Sequence, residues 1–139
     1  MATLSDSIQL RIRYGETDQM GTFYNARALD WFECGRTELM RHRLAMSYAE
    51  LEAKGAYLPV VEAHLEYLSG ARYDDLLTVS TSVCFLGRAK LRFDMEIHAE
   101  DQRLVVKGYT IHAFTNNQGR PIRPPVEFVG MFNRASQNP

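Results

Sequence analysis

The chain has 139 residues, 45% of them hydrophobic and 24% charged, with a formal net charge of −1. That length suffices for one domain with its own core, and the near-neutral charge gives no electrostatic case for nucleic acid or an acidic membrane surface. No run approaches the ~20 apolar residues that cross a bilayer, so the expectation is a single domain over residues 1–139 with no membrane span and no nucleic-acid partner. The opening MATLSDSIQL lacks the basic and apolar regions of a signal peptide. Cys34 and Cys84 stand apart, with no CxxC and no clustered histidines, so reduced thiols, no metal site and a cytoplasmic location are expected.

In chain order, Ile8, Leu10 and Ile12 alternate with Gln9, Arg11 and Arg13, the period of a strand. From Asn25 to about Leu44 the pattern is helical, with no proline and only Gly35 as an interruption. Leu29, Phe32, Leu39 and Met40 are expected on one side, and the small residues Ala28 and Gly35 would let this helix approach a sheet closely. A short helix is predicted from Ser47 to Lys54, with Ser47 as cap, Glu50 in the capping box and Gly55 as the stop. Four alternating runs follow, around Val61–Tyr67, Val79–Phe85, Leu91–Ile97 and Leu104–Thr115, the last closed by a turn at Asn116–Gly119. Each has one apolar face, as in an antiparallel sheet wet on its other side. Pro121, Pro124 and Pro125 end the sheet, and Val126–Asn133 forms a terminal helix. One strand, one long helix and four more strands predict an α+β fold, a sheet wrapped around a single helix.

Between the first strand and the long helix lies YGETDQMGTFYN, Tyr14 to Asn25, with two carboxylates, a glycine and two aromatics. A turn explains this composition by itself, and so does a catalytic site.

The longer stretch YGETDQMGTFYNARALDWFECGRTELMR resembles the opening of the 4-hydroxybenzoyl-CoA thioesterase-like family of hotdog-fold acyl-CoA thioesterases, including its Tol-Pal-associated branch. The pattern is Tyr14, Glu16-Thr17-Asp18, Gly21, Tyr24, then Phe32-Glu33 and Arg36-Thr37-Glu38; weaker echoes are Glu66-Tyr67, Ala71–Asp75 and Leu86-Gly87-Arg88. The resemblance implies a hotdog fold, an antiparallel sheet of about five strands around one long central helix. It also implies homodimers or homotetramers with sites at the subunit interface, an acyl-CoA substrate and no dissociable cofactor, coenzyme A being part of the substrate. The family's catalytic carboxylate maps onto Asp18, as nucleophile or as base for a water. Its oxyanion donor, a backbone N–H at the start of the long helix, maps onto Asn25. Many members of the Tol-Pal-associated branch carry histidine there, so this chain calls any role for that imidazole into question.

The chemistry asks for the same parts. Thioester hydrolysis develops negative charge on the carbonyl oxygen, which donors at a helix start stabilise, and it needs an ionised base or nucleophile. Gly21 would fold the chain back so that Asp18 faces the helix start. Beside this stand plainer readings: Asp18 as a turn residue, Asn25 as an ordinary N-cap, Glu16 as structural, and Glu33 and Arg36 as a helical ion pair. Tyr14 and Tyr24 would line the site for substrate. Arg88, with Arg72 and Lys90, would meet the coenzyme A phosphates unless it only decorates a solvated face. Cys34 is expected to be buried and inert. The leading expectation is an acyl-CoA thioesterase; its alternatives are a non-catalytic acyl-binding or scaffold protein and a thioesterase for acyl-carrier-protein thioesters.

Overall fold

The computed structural model describes residues 2–138. Five strands, β1 (Leu4–Arg11), β2 (Val60–Tyr67), β3 (Leu76–Leu86), β4 (Lys90–Ala99) and β5 (Leu104–Ala113), form one antiparallel sheet in the order β1-β3-β4-β5-β2. The helices are α1 (Arg27–Leu44), α2 (Tyr48–Ala53) and α3 (Val126–Ser136). The period-two runs therefore pair as antiparallel strands, and the long helical pattern supplies α1.

The two inner strands β3 and β4 show why alternation builds a half-wet sheet. Leu77, Val79, Thr81 and Val83 of β3, and Leu91, Phe93, Met95 and Ile97 of β4, are buried on one face, while their neighbours lie on the other. Helix α1 packs on β1 and β3. Its buried stripe is Ala28, Trp31, Phe32, Gly35, Arg36, Leu39 and Met40. Leu29, expected in that stripe, is 43% exposed, and Trp31 takes its place. Gly35 permits the approach: a Cβ there would sit 2.6 Å from Thr81 Oγ1 and 3.0 Å from Val79 Cγ1.

α1 begins two residues later than the helical pattern suggests. Its first turn is of the tight i→i+3 kind, with Arg27 N–H donating to the Tyr24 carbonyl and Ala28 N–H to that of Asn25. Ala26, in helical conformation, precedes the helix, and no side chain caps it. The short helix α2 follows expectation: Ser47 Oγ accepts the Glu50 N–H at 3.1 Å, and Gly55 takes the left-handed conformation with φ of 90°. At the far end of the sheet, α3 buries Phe128 and Phe132 against Phe85 and Phe114, one turn apart on the same helix face.

Edge strand β2 departs from the half-buried pattern. Nearly every residue of it is exposed, including Val60, Val61 and Tyr67 at 48%, 52% and 46%. No helix of the described residues covers its inner face, because α1 lies over the opposite half of the sheet.

Candidate active site

The residues from Tyr14 to Asn25 fold into a compact hairpin between β1 and α1. It opens with a 3₁₀ turn over Tyr14–Glu16. Thr17 then bridges Phe23, Asp18 N–H donates to the Thr22 carbonyl at 2.9 Å, and Tyr24 N–H donates to the Glu16 carbonyl at 2.8 Å. Asp18 starts the reversal: its Oδ1 accepts the Met20 N–H at 2.9 Å, and its carbonyl accepts the Gly21 N–H at 3.1 Å. Gly21 has φ of 83°, the left-handed region that a side chain disfavours, so the glycine is what closes this turn. The acid's turn and the helix start thus belong to one ribbon.

Glu16 anchors the ribbon. It is 5% exposed, its Oε1 accepts the Arg13 N–H at 2.7 Å, and its Oε2 accepts the Trp31 indole N–H at 3.0 Å. Burial by itself would raise the Glu16 pKa, but these hydrogen bonds and the Arg13 guanidinium prevail and hold it below the usual carboxylate range. Asp18, in contrast, is only half-buried and one of its carboxylate oxygens makes the turn bond. One carboxylate is therefore structural, and the other is open to an incoming group.

At the helix start, Asn25 is exposed and its carbonyl accepts the Tyr67 hydroxyl at 2.8 Å. The N–H groups of Asn25 and Ala26 have no backbone acceptor among the described residues, since the tight first turn begins with the N–H of Arg27. That is the general condition of a helix N-terminus: unpaired donors and a partial positive charge. The Asn25 side chain does not cap α1.

Other residues fall variously. Tyr14 and Tyr24 flank the hairpin at 78% and 55% exposure, Tyr14 lying edge-on to Tyr73 at 5.6 Å. Arg72 and Arg103 line a cleft of about 340 Å³ with Met20, Gly21 and Thr22. Arg88 sits in the β3–β4 turn, at the opposite end of β3 from the strand start that follows Ala71, a residue tied to Thr22 and Phe23. The 11 residues of β3, at ~3.3 Å each, separate those ends by roughly 35 Å. Within one chain, Arg88 and Asp18 do not meet. A larger cleft of about 830 Å³ lies on the outer face of the sheet among Ser7, Ser80, Asp94 and Tyr109, away from the hairpin.

Glu33 and Arg36 form no ion pair among the described residues; Arg36 is buried instead, on the flank of α1 towards Tyr48. Cys34 is exposed rather than buried, and local desolvation with the carboxylates of Glu33 and Asp30 pushes its thiol pKa up, which disfavours the thiolate. No group of three or more His, Cys, Asp or Glu among the described residues is arranged to hold a metal ion. Tyr67, which holds the backbone at the helix start, escaped the sequence reading except as part of a Glu-Tyr pair; its only signal was an aromatic at the end of a strand.

A five-stranded antiparallel sheet carrying one long helix, with an acid-bearing hairpin leading into that helix, defines a hotdog-fold protein of the thioesterase class. A family model, the Thioesterase-like superfamily, matches residues 12–133. The chain belongs to that family, and with it to the thioester hydrolases. It is 31% identical over 116 residues to YneP of Bacillus subtilis, covering 83% of each chain. To the acyl-CoA thioesterase YbgC of Haemophilus influenzae it is 28% identical over 127 residues, covering 91% of this chain and 93% of the other. Among solved structures, a DHNA-CoA thioesterase from Staphylococcus aureus superposes with a TM-score of 0.87 at 26% identity, over 96% of this chain and 91% of that one. No helix of the described residues is long and apolar enough to cross a membrane.

Proposed function

We propose that this protein hydrolyses an acyl-CoA thioester to the free acid and coenzyme A, with Asp18 as nucleophile or general base. The Asn25 N–H is the donor to the thioester oxygen. The observation that carries this reading is the division of labour in the hairpin. Glu16 is consumed by Trp31 and Arg13, whereas Asp18 is held at a tight turn on the ribbon that ends at unpaired helix-start N–H groups.

The reaction needs little more. Asp18 either attacks the carbonyl carbon, expelling the coenzyme A thiolate and forming a mixed anhydride that water then hydrolyses to the free acid and Asp18, or removes a proton from a water that attacks the carbonyl, after which the tetrahedral intermediate expels the thiolate. Negative charge then collects on the carbonyl oxygen, where the N–H groups at the start of α1 and the helix dipole stabilise it. Tyr67 donates its hydroxyl to the Asn25 carbonyl, which fixes the Asn25–Ala26 peptide plane and with it the Ala26 N–H, the next free donor at the helix start. Coenzyme A enters as part of the substrate, and no dissociable cofactor is required by these steps.

The site is completed by a second copy of the chain. β2 ends the sheet with its edge free and its apolar residues exposed, so a homodimer pairing along this edge would close both the sheet and the open side of α1.

The decisive experiment is Asp18→Asn, assayed by release of free thiol from a panel of acyl-CoA esters. The amide is nearly isosteric and its oxygen still accepts the Met20 N–H, so circular dichroism is expected to match the parent. Hydrolysis is expected to fall by about 10²-fold or more. Retention of most of kcat would leave Asp18 as a turn residue and overturn the mechanism.

A further inference from the structure

The start of α1 leaves fewer free donors than an ordinary helix end. A regular α-helix exposes about four unpaired N–H groups in its first turn. Here the tight turn satisfies those of Arg27, Ala28 and Leu29, which donate to the carbonyls of Tyr24, Asn25 and Ala26. The Tyr24 N–H is taken by the Glu16 carbonyl at 2.8 Å. Among the described residues this leaves the N–H groups of Asn25 and Ala26, adjacent in the chain, without an acceptor.

The two donors are not held alike. The peptide that carries the Ala26 N–H has its carbonyl at Asn25, and that oxygen accepts two bonds, from the Tyr67 hydroxyl at 2.8 Å and from the Ala28 N–H at 3.3 Å. Both of its lone pairs are thereby used. The peptide is planar and trans, so a carbonyl fixed on one side fixes the N–H that points the opposite way. Hydrogen bonds in series polarise one another, so a donor on the Asn25 oxygen makes the Ala26 N–H a stronger donor in its turn. Tyr67 is itself held in place. Its ring centroid lies 6.3 Å from that of Phe23, which is buried and packs on Trp31 at 5.1 Å, and its backbone pairs with Val106 of β5. Partial burial pushes the Tyr67 hydroxyl above the ordinary tyrosine pKa, so it stays protonated at neutral pH and can donate.

We infer that Tyr67 is a positioning residue for the hydrolysis: through the Asn25–Ala26 peptide it aims and strengthens the Ala26 N–H, which joins the Asn25 N–H as a second donor to the thioester oxygen. This rests on the thioesterase reading above. A donor oriented in advance counts most where charge develops, so the effect of Tyr67 falls on the transition state rather than on substrate binding.

The test is Tyr67→Phe in the full chain, assayed by thiol release from acyl-CoA esters; it deletes the hydroxyl and keeps the ring beside Phe23. Its kcat is expected to fall by about 10-fold, less than the loss of a whole donor, with KM within about 2-fold of the parent. A structural tie alone would lower Tm and leave the kcat of the folded enzyme in place; that result overturns the proposal, as does a loss confined to KM. A double-mutant cycle locates the effect. Ala26 has φ of −65° and an unpaired N–H, both suited to proline, so Ala26→Pro removes the second donor. In that background Tyr67→Phe should change kcat by less than about 2-fold, whereas losses that multiply would show Tyr67 acting by another route and overturn the proposal. A further measurement is independent of turnover: in Tyr67→Phe the resonances of the Asn25 carbonyl carbon and the Ala26 amide nitrogen should move upfield, and resonances that stay in place overturn it. If the parent cleaves no thioester, the proposed function fails and this role with it; an active parent with an unchanged Tyr67→Phe overturns this inference alone. Should Ala26→Pro not fold, the kcat of Tyr67→Phe and the two resonances decide.

Discussion

Trp31 of α1 donates its indole N–H to Glu16 of the preceding hairpin at 3.0 Å, joining two residues fifteen apart in sequence. This bond orients the whole ribbon against the helix, and it depends on an ionised, buried acceptor. Glu16→Gln is expected to destabilise the protein by about 1–3 kcal/mol at neutral pH, since a charged hydrogen-bond acceptor is lost. The folded-state pKa of Glu16 is depressed, so its contribution is complete above the unfolded value near 4.5 and is lost as pH falls through the folded value. Denaturant melts from pH 7 down to 3 should therefore show the gap between parent and Glu16→Gln closing in acid. A constant gap would mean that shape, not charge, holds Trp31.

At Asn25 the backbone and the side chain separate cleanly. No side chain caps α1, so Asn25→Ala should change stability by less than about 0.5 kcal/mol and keep appreciable activity. Asn25→Pro removes the N–H that is proposed to face the thioester oxygen, at a place next to the first helical turn where proline is tolerated. Its kcat should fall by about 10²–10³. Thiol-release kinetics on folded, oligomeric samples decide the matter. Equal severe losses would assign the role to the side-chain amide, and near-normal rates in the proline variant would move the oxyanion site elsewhere.

Gly35→Ala sets helix propensity against packing. Alanine favours a helix by about 1 kcal/mol over glycine. Yet its Cβ would meet Thr81 Oγ1 at 2.6 Å and Val79 Cγ1 at 3.0 Å, and overpacking of this kind costs about 1–3 kcal/mol. The expected net effect is a lower Tm by thermal melt. Thr81→Ala in the same chain should recover part of the loss by removing the closer of the two contacts; a stabilised single variant would show that α1 can lift off β3 without penalty.

The exposed edge and inner face of β2 predict at least a homodimer. Multi-angle light scattering at micromolar concentration should give twice the chain mass of 15.9 kDa or more. A charged residue introduced at an exposed apolar position of that strand, Val61→Lys, should shift the equilibrium towards smaller species and lower activity with it. A stable monomer with full activity would remove the interface from the reaction.

Much of this protein was legible in the order of its residues. Period-two alternation in Val79–Phe85 and Leu91–Ile97 determined strands and their inner faces, because successive side chains point to opposite sides of a sheet. Asp18 and Gly21, ahead of a long helical pattern, marked a turn that needs a left-handed residue, and φ of 83° at Gly21 follows from that need. Ser47 and Gly55 bounded the short helix through local capping chemistry, which requires no distant partner. What only the tertiary structure decided depends on neighbours remote in the chain. Glu16 and Asp18 look alike in sequence, and they part because Trp31 reaches one and not the other. Leu29 and Trp31 exchange places in the core stripe because the sheet covers only one flank of α1. Arg36, spaced for an ion pair with Glu33, turns instead towards Tyr48, because helical spacing permits a pair without fixing which way a long side chain points. β2 reads as an ordinary half-buried strand, and its exposure follows from its place at the end of the sheet that α1 does not cover, which only the tertiary packing sets.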